Sequence, residues 1–311
     1  MPADAIGTDT VGLVYALGAY LSWGLVVPVH FRLLSGFSPS HILAVRILWS
    51  CLFAVALVLL WRNRVRTPFP LRPRHALLFV SAGLIGVNWL LYLQAVNSGH
   101  LLDASLGYYI NPLVSVALGA VVLRERLRPL QRVAVGIAAA GVAIAVVLAG
   151  TLPLVALELA MSFALYGLVR KVVGVDPAVG FLAETLILTP AAFVWVLLSP
   201  EPALPPDPRD FALLALTGVT TALPLIWFAA AADRLRLATL GLMQYIAPTC
   251  LLALSVLAYG EHVAPHAIPM FGLIWLALAL YAFDLLRAGR AARAHGVPGE
   301  TAAPNPGAMR V

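Results

Sequence analysis

Two ionisable residues stand deep inside long apolar blocks. Arg46 lies seven residues past Pro39 and Glu184 seven past Pro177, in stretches otherwise without formal charge. An arginine so placed can attract an anionic group, and a carboxylate can take up and release a proton. The two can also neutralise each other as a buried ion pair that only joins segments. Asn88, Trp89, Tyr92 and Gln94 make a second group, in which Asn88 and Tyr92 share one helix face. Tyr108, Tyr109 and Asn111 make a third, answered by Gln244 and Tyr245 far along the chain. Pro112 and Pro248 follow these directly, and a proline frees a backbone carbonyl and loosens its helix. Tyr166-Gly167 occupies the place in its block that Trp23-Gly24 holds in the first. Aromatic and amide groups around a loosened helix suit a cavity for a partly apolar solute. Singly, such residues more often form interfacial belts or join helix to helix. As a repeated cluster they are read here as a substrate and proton pathway.

The elements that must hold these groups are transmembrane helices. The chain has 311 residues, 61% of them hydrophobic and only 11% charged, against roughly a quarter charged in soluble domains. Its apolar blocks approach the roughly 20 residues that cross about 30 Å of hydrocarbon. Ten spans are predicted, at 10–34, 40–61, 75–95, 101–123, 130–149, 152–170, 176–199, 209–231, 237–258 and 263–287. With ten, the termini and every second joint share one side. That side collects 17 of the 20 Lys and Arg residues, Arg170 and Lys171 counted among them. Cations are retained in the cytoplasm, which places both termini there. The net charge of +6 is thus a topology signal, and no nucleic-acid partner is expected.

An internal repeat divides the chain. Tyr109-Ile110-Asn111-Pro112 answers Tyr245-Ile246-Ala247-Pro248, and Glu125 and Glu261 follow 13 residues after the two prolines. Ser38-Pro39 likewise answers Asp176-Pro177. The expected units are a tail 1–9, five helices in 10–149, five in 150–287 and a disordered cytoplasmic tail 288–311. Five is odd, so the second unit enters the membrane inverted, and the substrate site is expected near the midplane between units. Arg46 and Glu184 then approach that midplane from opposite faces, to pair directly or to line one central cavity.

Glu125 and Glu261 fall at helix ends, where they can cap helices or pair with neighbouring arginines, and for Glu125, among four arginines, such a structural role is expected. His262 and His266 have the spacing of a metal pair, but Pro265 interrupts them and no metal site is expected. Cys51 and Cys250 fit no disulfide or metal pattern, and no Gly-rich phosphate loop is present. No cofactor is expected. The N-terminus lacks the basic region of a cleaved signal. Small-residue pairs such as Gly136 and Ala140 suit packing within a monomer or across a homodimer.

Several motifs carry a family resemblance. They are Asn88-Trp89-Leu90-Leu91, Ala95-Val96-Asn97, Ala104-Ser105-Leu106-Gly107-Tyr108, Ile110-Asn111-Pro112-Leu113, Gly241 to Pro248, Glu184-Thr185 and Tyr166 to Lys171. Together they resemble the RarD group of the EamA family, in the drug/metabolite transporter superfamily. The resemblance implies ten helices as two inverted EamA repeats and a carrier of the bacterial inner membrane. Asp103 stands where the group usually has Glu, and Val45 precedes Arg46 where His is common. The second departure weakens any proton relay built on a histidine beside Arg46. The expected function is secondary transport, by proton-coupled export of a small metabolite or drug-like compound. A facilitator or importer of an amino acid-like solute is the alternative. A membrane-embedded enzyme acting on lipid-linked substrates would need a polar cluster at one membrane face, which the sequence lacks.

Overall fold

The computed structural model describes residues 9–61, 73–97, 101–149, 154–202, 204–260 and 268–294. Glu261, His262, Pro265 and His266 lie outside them, as do Arg62, Arg64, Arg66, Arg72 and Arg310.

In hydrocarbon every backbone N–H and C=O must be satisfied within its own segment, so the apolar blocks fold as helices. Among the described residues these are α1 (Thr10–Leu33), α2 (Pro39–Leu60), α3 (Leu77–Asn97, entered by a 3-10 turn at Pro73–Ala76), α4 (Leu101–Val121) and α5 (Pro129–Ala149). They continue with α6 (Leu154–Val173), α7 (Pro177–Leu198), α8 (Pro208–Arg234), α9 (Leu237–Tyr259) and α10 (Ile268–Ala294). Eight are long and apolar enough to cross a membrane; α4 has a shorter apolar stretch, Gly107–Val121. The tenth, α6, carries Glu158, Arg170 and Lys171 and packs among the others.

Starts are written locally. Ser38, Asp176 and Asp207 cap α2, α7 and α8 through their side-chain oxygens, each followed by a proline at the first helical position. Two ends differ from expectation. α6 runs three residues further, to Val173, which draws Arg170 into the bundle. α10 continues to Ala294 through Ala- and Arg-rich sequence of good helix propensity, so its last turns replace the start of the expected disordered tail.

The core has two large clusters. One gathers Ala16, Ala19, Tyr20, Tyr166, Phe181 and Phe228 where α1, α6, α7 and α8 meet. The other gathers Tyr109, Ala134, Ala156, Tyr245, Phe271 and Ile274 from α4, α5, α6, α9 and α10. Leu60, Val121, Leu198 and Leu257 are 78–85% exposed, as lipid-facing residues must be. The extensive contacts join α1 to α8 and α9, α6 to α3 and α4, α2 to α7 and α8, α7 to α3, α4 to α9, and α5 to α10. Exchanging each of the first five helices with its counterpart five places on turns this set into itself.

Gly24 is the tightest point between α1 and α9: a Cβ there would sit 2.6 Å from the Ala247 carbonyl oxygen and from Cys250 Cβ. Gly24→Ala must therefore push the two helices apart. The expected cost is about 1–3 kcal/mol, the usual penalty of overpacking. It should appear as a lowered thermal midpoint of the detergent-purified protein, whereas Gly83→Ala, with open space around it, leaves the midpoint unchanged.

Candidate functional site

Besides α7 with Pro190, four helices carry a proline past their first turn, at Pro28, Pro112, Pro224 and Pro248. A proline has no N–H, so Gly24, Tyr108, Thr220 and Gln244 lose the donor four residues on. α1 responds with a π-helical turn at Ser22–Val26, and α9 breaks between Met243 and Ile246. Tyr108, Thr220 and Gln244 then line one cavity of about 440 Å³. The loosened backbone and the cavity are one feature.

The cavity takes its walls from α1, α2, α3, α4, α6, α8 and α9. Tyr92 and Tyr108 line it, are 37% and 48% exposed, and meet edge to face at 6.4 Å. Tyr20, 1% exposed, forms its floor and donates a hydrogen bond to the Leu240 carbonyl at 2.9 Å. Among the described residues, ones near the distal ends of α1 and α3, opposite the termini, enter the lining, whereas none from the terminal ends does. The described lining therefore lies towards the distal side. Arg46 projects into it with its guanidinium carbon 4.4 Å from the Trp89 ring centroid and 5.7 Å from that of Phe31.

Of the residues singled out in the sequence, Arg46, Asn88, Trp89, Tyr92, Tyr108, Asn111, Gln244 and Pro248 meet at this cavity. Asn88 also donates to Leu159 O at 3.0 Å and to Ser162 Oγ at 2.9 Å, tying α3 to α6. Gln94, Tyr109, Pro112, Tyr166, Tyr245 and Glu184 lie off it. Tyr109 packs edge to face on Phe271, and the buried Tyr245 donates to the Tyr109 carbonyl at 3.0 Å. Tyr20, Phe31, Phe163 and Thr221 also line it and were not foreseen. Pro28 within the first block was the available signal, since it predicts a distorted turn among those aromatics.

Glu184 and Arg46 do not pair. Glu184 forms an ion pair with Arg170 at 3.5 Å and accepts hydrogen bonds from Ser81 Oγ at 2.6 Å and Tyr166 OH at 3.3 Å. Arg170, 3% exposed, is no loop cation; it also donates to the Pro177 carbonyl at 3.3 Å. Tyr166 packs on Phe163 at 5.8 Å and stacks on Phe228 at 6.1 Å, and Phe163 belongs to the cavity wall. One aromatic layer thus separates the cavity from the Glu184 cluster.

Polar ties close the terminal side. Arg124 adopts a left-handed φ of 55°, and the Glu125 N–H folds back onto the Gly119 carbonyl at 2.9 Å. This aims the Glu125 carboxylate at the start of α9, where it accepts from the Leu237 and Ala238 N–H groups at 2.7 and 2.9 Å. Glu125 therefore caps another helix, and its nearest cation is Arg236 at 3.9 Å, not the arginines around it in sequence. Lys171 donates to the Ala232 carbonyl at 2.8 Å and to that of Leu235. Arg234 pairs with Asp9 at 3.0 Å and Arg128 with Asp284 at 2.7 Å.

Comparison with known proteins agrees with this architecture. The EamA-like transporter family matches residues 10–147. An uncharacterized transporter of Vibrio cholerae is 43% identical over 289 residues, covering 91% of this chain and 95% of that one. Protein RarD of Escherichia coli strain K12 is 42% identical over 281 residues, covering 88% and 95%. A solved crystal structure of 20% identity superposes with a TM-score of 0.68 over 86% of this chain and 96% of its own, which shows the shared fold. The chain is an all-α polytopic membrane transporter. It belongs to the EamA-like transporter family, in its RarD group, and is a multi-pass protein of the bacterial inner membrane.

The Arg170–Glu184 pair is open to a stability test. Arg170→Met leaves a buried carboxylate without its cation, at an expected cost of about 3–5 kcal/mol. Adding Glu184→Gln removes the stranded charge and should restore most of that loss. A double-mutant cycle on thermal or denaturant unfolding in detergent reads the coupling; strictly additive effects would show that the pair does not hold α6 to α7.

Proposed function

We propose that the protein is a secondary active, proton-coupled exporter of a small metabolite or drug-like compound. The observation that carries this reading is the one-sided cavity, with Glu184 sealed beneath its aromatic floor next to Arg170. A carrier must never open both sides at once, and here the distal side is open while the terminal side is held by ion pairs and caps. Two five-helix units, 10–149 and 150–287, are proposed to exchange these roles as inverted repeats. The self-mapping helix contacts and the matched places of Arg46 and Glu184 on α2 and α7, which pack on each other, support it.

In this mechanism the cavity releases its solute on the distal side, and a proton then reaches Glu184 through the floor, with the Tyr166 hydroxyl as its neighbour. A neutral Glu184 no longer holds Arg170, and the join between α6 and α7 weakens. The terminal side opens, Glu184 gives its proton to the cytoplasm, and new solute enters. Net exchange is one solute out against protons in. Arg46, Asn88, Trp89, Tyr92, Tyr108, Asn111 and Gln244 contact the solute; Tyr166 and Glu184 serve the proton.

The test compares metabolite profiles of cells and spent medium for a deletion strain complemented with wild type, Glu184→Gln or empty vector. A compound retained in deletion cells, missing from their medium and restored only by wild type supports export through Glu184. A compound instead taken from the medium only by wild-type cells makes the protein an importer. Full restoration by Glu184→Gln at equal expression removes Glu184 from the coupling.

A further inference from the structure

Arg46 is the one charged residue in the cavity lining among the described residues, and no Asp or Glu joins it there. Its Nε is buried without a hydrogen-bond partner, and none of the ion pairs found among the described residues includes it. A guanidinium at membrane depth is costly unless an anion or water meets it. Its flat face lies against Trp89 and towards Phe31, which leaves the edge bearing the N–H groups for a partner. Across the cavity, the Gln244 side chain is 7% exposed and its Oε1 has no partner either. Whichever way that amide is turned, one of its ends awaits a polar atom from the solute. Between these two sites the walls are aromatic, with seven of the 21 lining residues Trp, Tyr or Phe.

From these groups we propose that the solute is a compact organic anion: a carboxylate or similar oxyanion held by Arg46, on a flat apolar body that carries one further hydrogen-bonding group for Gln244. This deepens the transport reading above and rests on it for its physiological meaning. The chemistry also excludes. A solute whose charge is an ammonium meets Arg46 with like charge and finds no carboxylate among the described side chains of the lining. A zwitterion such as an amino acid gains at its carboxylate and leaves its ammonium without a fixed counter-charge. Aromatic faces attract cations only weakly by comparison. The cavity selects net negative charge.

Binding to the full chain in lipid nanodiscs tests this without any transport step. Indole-3-acetate, indole-3-acetamide and tryptamine share one ring system and differ in charge: anionic, neutral and cationic. Isothermal titration calorimetry at pH 7 should rank them acetate, then acetamide, then tryptamine, with tryptophan below the acetate. Arg46→Gln should weaken the acetate about tenfold or more, the usual size of one lost charged hydrogen bond, and the neutral acetamide by much less. Retained acetamide binding also shows that the variant is folded. Arg46→Lys keeps the charge but loses the planar fork, and should fall between wild type and Arg46→Gln. Tryptamine or acetamide binding as tightly as acetate overturns the proposal, as does acetate binding indifferent to Arg46→Gln, or no binding of acetate at all. None of these results touches carriage itself, which the metabolite profiles decide separately.

Discussion

A charge in hydrocarbon must be paired or kept wet, and the arrangement of this bundle follows from how each one is dealt with. Glu184 is met by a guanidinium and two hydroxyls brought from α6 and α3. Arg170 extends α6 beyond its expected end because its head can reach inward to that carboxylate. Arg46 has the opposite treatment. Among the described residues no acid pairs with it, and the helices around it part and leave a cavity. The parting is made possible by prolines, each removing a backbone bond that would otherwise stiffen its helix where the wall must bend.

These two solutions sit on helices that touch. α2 carries Arg46 and α7 carries Glu184, each seven residues from a proline start, and the two helices enter the bundle from opposite faces. The self-mapping contact set means the walls of one half have counterparts in the other. On the proposed reading, a bundle built this way has two near-equivalent ways to pack, with a cavity on one side or on the other. In the state described here the cation side is open and the carboxylate side closed. On the proposed cycle the second packing reverses them, so the solute meets a positive wall distally and a negative one at the cytoplasm.

The ten helices were legible in sequence because their cause is local: block length, alternating cation-rich joints, and a cap followed by proline at several starts. The cavity was half legible. Tyr108 and Tyr109, like Gln244 and Tyr245, are neighbours on a helix and point about 100° apart, so both cannot face one cavity. Composition nominated all four; only the helix phase in the packed bundle sends Tyr108 and Gln244 inward and Tyr109 and Tyr245 into the core. The partner of Glu184 was hidden for another reason. Arg170 lies in a cation-rich stretch that the charge rule assigns to the cytoplasm, and the rule counts charges without seeing which ones turn back. Glu125 was half legible: capping was among the roles expected of it at a helix end, but the helix it caps is α9, which starts more than a hundred residues on.

The energetics of the closed side favour a carboxylate as the switch. The ties Arg234–Asp9, Arg128–Asp284 and Arg236–Glu125 all keep some contact with water, with arginine side chains 36%, 25% and 23% exposed. Such pairs typically contribute about 0.2–1 kcal/mol each, so they fasten the side without locking it. The Arg170–Glu184 pair is different, since both side chains are 2% exposed and breaking it strands charge in a dry place. Driving a two-state bundle from 1:99 to 99:1 takes about 5.5 kcal/mol, more than one partly wet tie supplies. Neutralising a buried carboxylate removes the penalty of stranding it, an effect of the same order as that requirement. On the proposed cycle, then, the proton acts at the one tie strong enough to hold the terminal side, and the weaker ties follow.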